Sequence, residues 1–364
     1  MKCNALYAAL LAACTLAPSA PAAPAAAHRI VTGGERGTYL QIGNDLVLHV
    51  ARPAGVALES VPSRGSAENV RRLRSEAGVR LALVQSDVMQ AFLDEAAAGN
   101  ADAAALVKPL RAVMPLYDEE IYFVARADAP FDTVADIRDK RINIGPAGSG
   151  TALTATTLYR KLFGAPIGPG HVSNLSNEEA LIALTRDASL DVVVVVAGQP
   201  TPLFAEMRPE ARQFIKLLRF DAQAPGGAAA TETYAPSAIR ATSYPTWLAA
   251  DVPALTTKAL LVTYNYGNGQ TRDMLTRLAR SLCSRFDVLQ SQGHPKWRDV
   301  QFELPSLGKH WSYYEPVERE LMACQAQRHR AGGSAVSACT PERQARGLCG
   351  DGGRAARAAS GPGR

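Results

Sequence analysis

The chain has 364 residues, 47% of them apolar and 20% charged, with a formal net charge of +5. From Arg328 onward seven Arg stand against Glu342 and Asp351, and Lys2 adds one more charge, so the body between is near −1 and the basic character belongs to the tail. No aromatic residue follows Tyr314, which argues against a nucleic-acid-binding tail, and apart from the N-terminus no stretch is long and apolar enough to span a bilayer.

Lys2, the apolar run Ala5 to Leu16 and the small residues Ala25-Ala26-Ala27 read as an export signal over residues 1–27. A competing reading takes Leu11-Ala12-Ala13-Cys14 as a lipobox, which would leave Cys14 as a lipid-anchored first residue; ordinary cleavage near Ala27 is preferred. Either way the protein is exported, with the periplasm as its expected location, and what remains is long enough for one large or two medium domains. Export permits disulfides. Outside the signal stand Cys283, Cys324, Cys339 and Cys349, which allow three pairings. They lack the spacing of a zinc site, so disulfides near the C-terminus are expected, with no metal and no cofactor.

The body alternates strand and helix signals. Arg29–Thr32 is a strand ending at Gly33-Gly34, followed by a helix over about 39–50. Strands at 57–61 and 80–84 each lead into a helix, opened by Ser66 with Asn69 and by Asp87. Leu110–Leu116 and Ile121–Arg126 read as two strands around a short polar break. The pattern then restarts. A short helix at 134–140 precedes the strand Ile142–Ile144, the loop Gly145 to Gly150, and a helix to about Leu162 with Ser149 or Thr151 as cap. A strand at 172–175, a helix at 178–186 and the nearly all-valine strand 190–197 follow. Then come a turn at Gly198 to Pro202, a short helix to about Met207 and a strand at 215–220. The chain returns to the first unit near 255–263 and ends its body in a helix over about 271–289. This order predicts parallel sheets with flanking helices, in two lobes.

Gly145 and Gly150 have the spacing of a phosphate loop, but Thr151 and Ala152 follow where lysine is required. The third glycine of a dinucleotide fingerprint is likewise replaced by Leu153. What remains is strand, glycine loop and helix N-terminus, an arrangement that suits a small anion. The segments after the other strands are also rich in Gly, Ser, Thr, Gln and Arg: 33–39, 63–66, 85–87 and 198–202. Ligands of open α/β sheets bind beyond the carboxyl ends of strands, so these loops predict a single cleft.

In order along the chain, Thr32-Gly33-Gly34, Gly37-Thr38-Tyr39, Gly65-Ser66-Ala67-Glu68-Asn69, Leu83-Val84-Gln85-Ser86-Asp87, the loop 145–151, the segment 196–202 and Ala259 to Thr263 resemble the TAXI-type solute-binding proteins of tripartite ATP-independent periplasmic (TRAP) transporters. The resemblance covers about residues 28–290. It implies an α/β protein of the periplasmic binding protein type II-like fold, two lobes on a hinge around a central cleft. Its function would be to capture a small organic anion, an amino acid such as glutamate or a dicarboxylate or 2-oxo acid, and deliver it to the TRAP membrane permease subunits. The expected organisation is lobe 1 over 28–122, lobe 2 over 123–238, a return to lobe 1 with C-terminal helices over 239–327, and a disordered basic tail over 328–364. Arg36 and Arg64 stand where the family usually has glycine, so the ligand does not carry over.

The expected mechanism is a hinge-closing clamp. Lobe 1 offers Gly37, Thr38, Tyr39, Arg64, Ser66, Asn69 and Gln85; lobe 2 offers Ser149, Gly150, Thr151 and Gln199. Hydroxyls and backbone N–H groups would surround a carboxylate, Tyr39 would pack on the carbon skeleton, and Arg36 or Arg64 could pair with a second carboxylate. Ser66 and Asn69 have plain structural readings as helix cap and loop tie. A monomer is expected. An enzyme is not: Ser86 and Ser149 have no histidine near them in sequence. A periplasmic sensor that presents its ligand to a membrane signalling protein would share the fold and stands as the alternative.

Overall fold

The computed structural model describes residues 28–307 and 311–337. Residues 1–27, the expected export segment with Cys14, and Cys339 and Cys349 lie outside the described residues.

The first half runs β1 (His28–Val31), α1 (Thr38–Asp45), β2 (Leu58–Val61), α2 (Ser66–Ser75), β3 (Val79–Gln85), α3 (Ser86–Ala97), α4 (Ala101–Val107) and β4 (Leu110–Arg126). Next come β5 (Ile142–Asn143), α5 (Gly150–Phe163), β6 (Val172–Ser173), α6 (Asn177–Ile182), β7 (Val192–Ala197), α7 (Pro202–Ala205) and β8 (Ile215–Leu217). Last are α8 (Gly227–Thr231), β9 (Ala235–Ile239), β10 (Val252–Tyr264), α9 (Gly269–Gln292) and α10 (Glu315–Ser337).

The strands join in the order β2-β1-β3-β10-β4-β7-β5-β6, with β8 on β4 and β9 on β10. The first lobe holds β2, β1 and β3 in parallel, then β10 antiparallel to β3, then β4. The second repeats the plan: β6, β5 and β7 in parallel, then β4 antiparallel to β7, then β8 on its other edge. The expected parallel sheets are therefore mixed. The reason is that β4 and β10 cross from one lobe to the other, and a strand that enters a lobe from outside runs against the strands made within it.

A second correction concerns the polar break expected between 116 and 121. β4 is continuous over 17 residues. Its interrupting acids Glu119 and Glu120 are buried and paired, so the ladder passes through them.

Each lobe has a core on both faces of its sheet. In the first lobe α1, α9 and α10 cover one face around Ile42, Leu282 and Leu321, while α2, α3 and α4 cover the other around Val70, Phe92 and Val107. In the second lobe α5 packs Leu158 and Leu162 beneath Val192 and Val194, and the opposite face holds Tyr122, Phe204, Tyr244 and Trp247. Alternate residues of the valine strand thus point into different cores, which is why it reads as a continuous apolar run.

A disulfide joins Cys283 of α9 to Cys324 of α10. Residues 328–337, expected to belong to a disordered tail, instead continue α10 through Ser337. Arg328 still belongs to the packed body: it pairs with Asp287, and its guanidinium lies 5.3 Å and 5.6 Å from the ring centres of Phe286 and Phe302. Residues 338–364 lie outside the described residues. Among the described residues no helix is long and apolar enough to cross a membrane.

Candidate ligand-binding site

A cavity of about 550 Å³ lies between the lobes, at the carboxyl ends of β1, β2, β3, β5 and β7. That is the size of a small-molecule site. Three helices of at least eight residues begin at its wall, α1 at Thr38, α2 at Ser66 and α5 at Gly150, and the shorter α6 begins there at Asn177. The first N–H groups of a helix have no carbonyl one turn back, so those of Thr38, Ser66, Gly150 and Thr151 are available to a ligand, and the helix dipoles favour an anion there. Local sequence places each turn. Gly65, at φ +116°, adopts a backbone that a side chain would strain, and it delivers Ser66 to the wall. Ser149 caps α5 by accepting from the Ala152 N–H at 3.0 Å, as one of the two sequence readings expected.

The jaws touch. Thr38 Oγ1 donates to the Gly198 carbonyl at 2.6 Å, Thr201 Oγ1 donates to the Arg36 carbonyl at 3.2 Å, and Arg36 pairs with Glu206. Gln85 approaches α5 so closely that a Cβ on Gly150 would stand 1.6 Å from its Oε1. Behind the cavity the buried carboxylate of Asp87 accepts from Thr154 of lobe 2 at 2.6 Å, from Tyr234 at 3.0 Å and from Thr257 of β10 at 3.0 Å. Burial raises its pKa, and these hydroxyls oppose the rise.

Of the expected site residues, Gly37, Thr38, Tyr39, Arg64, Ser66, Gln85, Ser149, Gly150 and Thr151 line the cavity. Asn69 and Gln199 do not. Asn69 is fully buried, its amide donating to the Thr32 and Leu83 carbonyls at 2.6 Å and 2.7 Å, so it ties β1 to β3 behind the loop. Gln199 is spent on the hinge, donating to Glu120 and the Ala238 carbonyl, each at 2.9 Å, and accepting from the Arg240 N–H. Arg64 reaches only the rim, where it is 62% exposed and pairs with Glu68 one turn on.

The sequence reading missed Glu119. It lines the cavity from β4 yet is 3% exposed, and the Tyr39 hydroxyl donates to its Oε2 at 2.6 Å. Burial pushes its carboxyl up to about 8; Tyr39 and Lys296 pull it down, while the Asp87 and Glu120 charges push it further up. Burial beside Glu119 likewise holds the Tyr39 proton on well above the ordinary phenol range. Next along β4, Glu120 meets Lys296 at 2.7 Å, a pair only 2% exposed on either side; burial raises the Glu120 pKa and Lys296 opposes it. The signal in the sequence was an acidic triplet, 118–120, inside an otherwise apolar strand.

The NMT1-like family matches residues 30–304, 275 of the 364. The chain belongs to the NMT1-like family. Among solved structures, this NMT1-like protein is similar to an arginine-, lysine-, histidine-binding protein of Geobacillus stearothermophilus at 12% identity and a TM-score of 0.43, covering 78% of this chain and 99% of that one. A binding component of a phosphonate transporter from Pseudomonas aeruginosa matches at 12% identity and 0.46, over 88% and 93%. A Candida albicans protein with the generic periplasmic binding protein fold matches at 10% and 0.46, over 82% and 90%. At these values the likenesses carry no argument about the ligand of the NMT1-like chain.

Proposed function

We propose that this NMT1-like chain is the extracytoplasmic solute-binding protein of a TRAP-type secondary transporter. It captures a small organic anion by hinge closure and hands it to a membrane permease, with residues 1–27 as its export signal. The observation that carries the reading is the cavity itself. It has small-molecule size, lies between two lobes joined by crossing strands, and draws three helix N-termini together from both jaws. The ordered TAXI-type motifs from Thr32 to Thr263 support the finer assignment. The nine expected residues on the cavity wall form its first contacts, the backbone N–H groups and hydroxyls around Ser66, Gly150 and Thr151 taking the carboxylate. A buried carboxylate needs such a shell, because desolvating it unpaired costs several kcal/mol.

The test is a thermal-shift screen over monocarboxylates, dicarboxylates and amino acids. A clamp is stabilised by its ligand by about 2.7 kcal/mol at a hundredfold excess over Kd. A shift that grows with the logarithm of concentration for one class of anion is expected. No response to any organic anion overturns the reading.

A further inference from the structure

The cleft is short of free cations. Among the described residues Arg36 and Arg64 are the cationic side chains on its wall, and both are engaged, with Glu206 and with Glu68. Glu35 and Glu178 add negative charge to the same lining. Backbone N–H groups and hydroxyls suffice for one carboxylate; a second would find no unspent cation and would face the acids.

Deeper in the wall stands Glu119. Among the described residues Tyr39 is the one partner of its side chain, so its other oxygen is left for the cavity. The titratable groups around it are Tyr39 from α1, Asp87 from α3, Tyr117 and Glu120 beside it on β4, and Lys296 from the turn 295–299. Lys296 is bonded to Glu120. Within this surrounding burial favours the neutral form of Glu119 and brings its carboxyl up to about 8. A neutral carboxyl offers a proton to an acceptor; an ammonium group would have to ionise a carboxyl that is only 3% exposed.

We propose that the cleft selects a singly charged monocarboxylate carrying a neighbouring hydroxyl or carbonyl oxygen, with the Glu119 carboxyl donating a hydrogen bond to that oxygen. This rests on the solute-binding reading above and narrows it. Ionising Glu119 removes the donor and sets a negative charge against the ligand, so binding weakens as pH rises past the Glu119 titration.

The experiment is isothermal titration calorimetry on the full chain with pyruvate, 2-oxobutyrate and lactate against succinate, 2-oxoglutarate, L-alanine and L-glutamate, each in two buffers of different ionisation enthalpy. A monocarboxylate of the first set is expected to bind tightest. Near pH 6 no net proton exchange accompanies it. Above about pH 8 binding takes up about one proton, and affinity falls about tenfold per pH unit. Glu119→Gln, which donates but cannot ionise, flattens that decline. The proton count on the wild-type chain decides the matter if the variant does not fold. Tightest binding of a dicarboxylate, or of an amino acid with proton release near neutrality, overturns the proposal and leaves the solute-binding reading standing. A flat wild-type pH profile also overturns it. Silence from every probe in calorimetry and thermal shift together overturns both.

Discussion

Glu119 has a consequence for the protein before any ligand arrives. Its carboxyl titrates near 8 in the folded chain against an ordinary 4.5, so between those values the folded state keeps a proton that the unfolded chain has lost. Stability from this group is full below the lower value and is lost as pH rises through the higher one. Asp87, also raised by burial, acts in the same direction. The ligand-free protein is therefore expected to melt at a lower temperature near pH 8 than near pH 5, and Glu119→Gln to flatten the slope; calorimetric Tm values across that range check it. At this scale the sequence was only partly legible. Ser66, Asn69, Gln85 and Gln199 are all short polar residues at strand ends, equally suited to a ligand by type. Two face the cavity and two are consumed by backbone groups behind it, because side-chain direction depends on which strands pair.

Among the elements, the loop and helix from Gly145 to Phe163 were legible up to the choice of Ser149 over Thr151 as cap, since capping and glycine turns are local chemistry. β4 was not. A run of three acids normally ends a strand, and only partners from α1, the 198–202 turn and the 295–299 turn allow Glu119 and Glu120 to stay inside it. α10 was expected only as unplaced C-terminal helices ending by 327, and the pairing of Cys283 with Cys324, one of three left open, needs two helices side by side. The bond closes a separation of 41 residues, for which the chain-entropy argument gives about 4 kcal/mol. Replacing both cysteines by serine is expected to lower the unfolding free energy by about 2–4 kcal/mol in urea melts. Ligand affinity should stay unchanged, as neither residue lines the cavity.

For the whole molecule the decisive geometry is the approach of α5 to Gln85. Gln85 is fixed there, bonded to Ser66 through both its Oε1 and its backbone N–H. The Cβ of Gly150→Ala would fall 1.6 Å from Gln85 Oε1 and 2.8 Å from Ser66 Oγ, so the Gln85–Ser66 pair that shapes the cleft would have to break or the lobes stand apart. Each lobe keeps its own cores, so folding should survive. Ligand affinity is expected to drop at least about tenfold, or about 1.4 kcal/mol, and X-ray scattering should show a radius of gyration that no longer contracts when ligand is added. A variant that binds and contracts like wild type would remove the closing jaw from the mechanism. By itself, the sequence determined the alternation of strands and helices, the restart near residue 134 and the polar loops at strand ends, because periodicity and turn chemistry act over a few residues. The tertiary structure decided that β4 and β10 serve both lobes, that Asn69 and Gln199 are structural, and that a carboxyl occupies the cleft wall. Those outcomes depend on contacts between distant segments, such as Glu120 with Lys296, 176 residues apart, and Ala82 with Val262 across β3 and β10, and no local pattern encodes them.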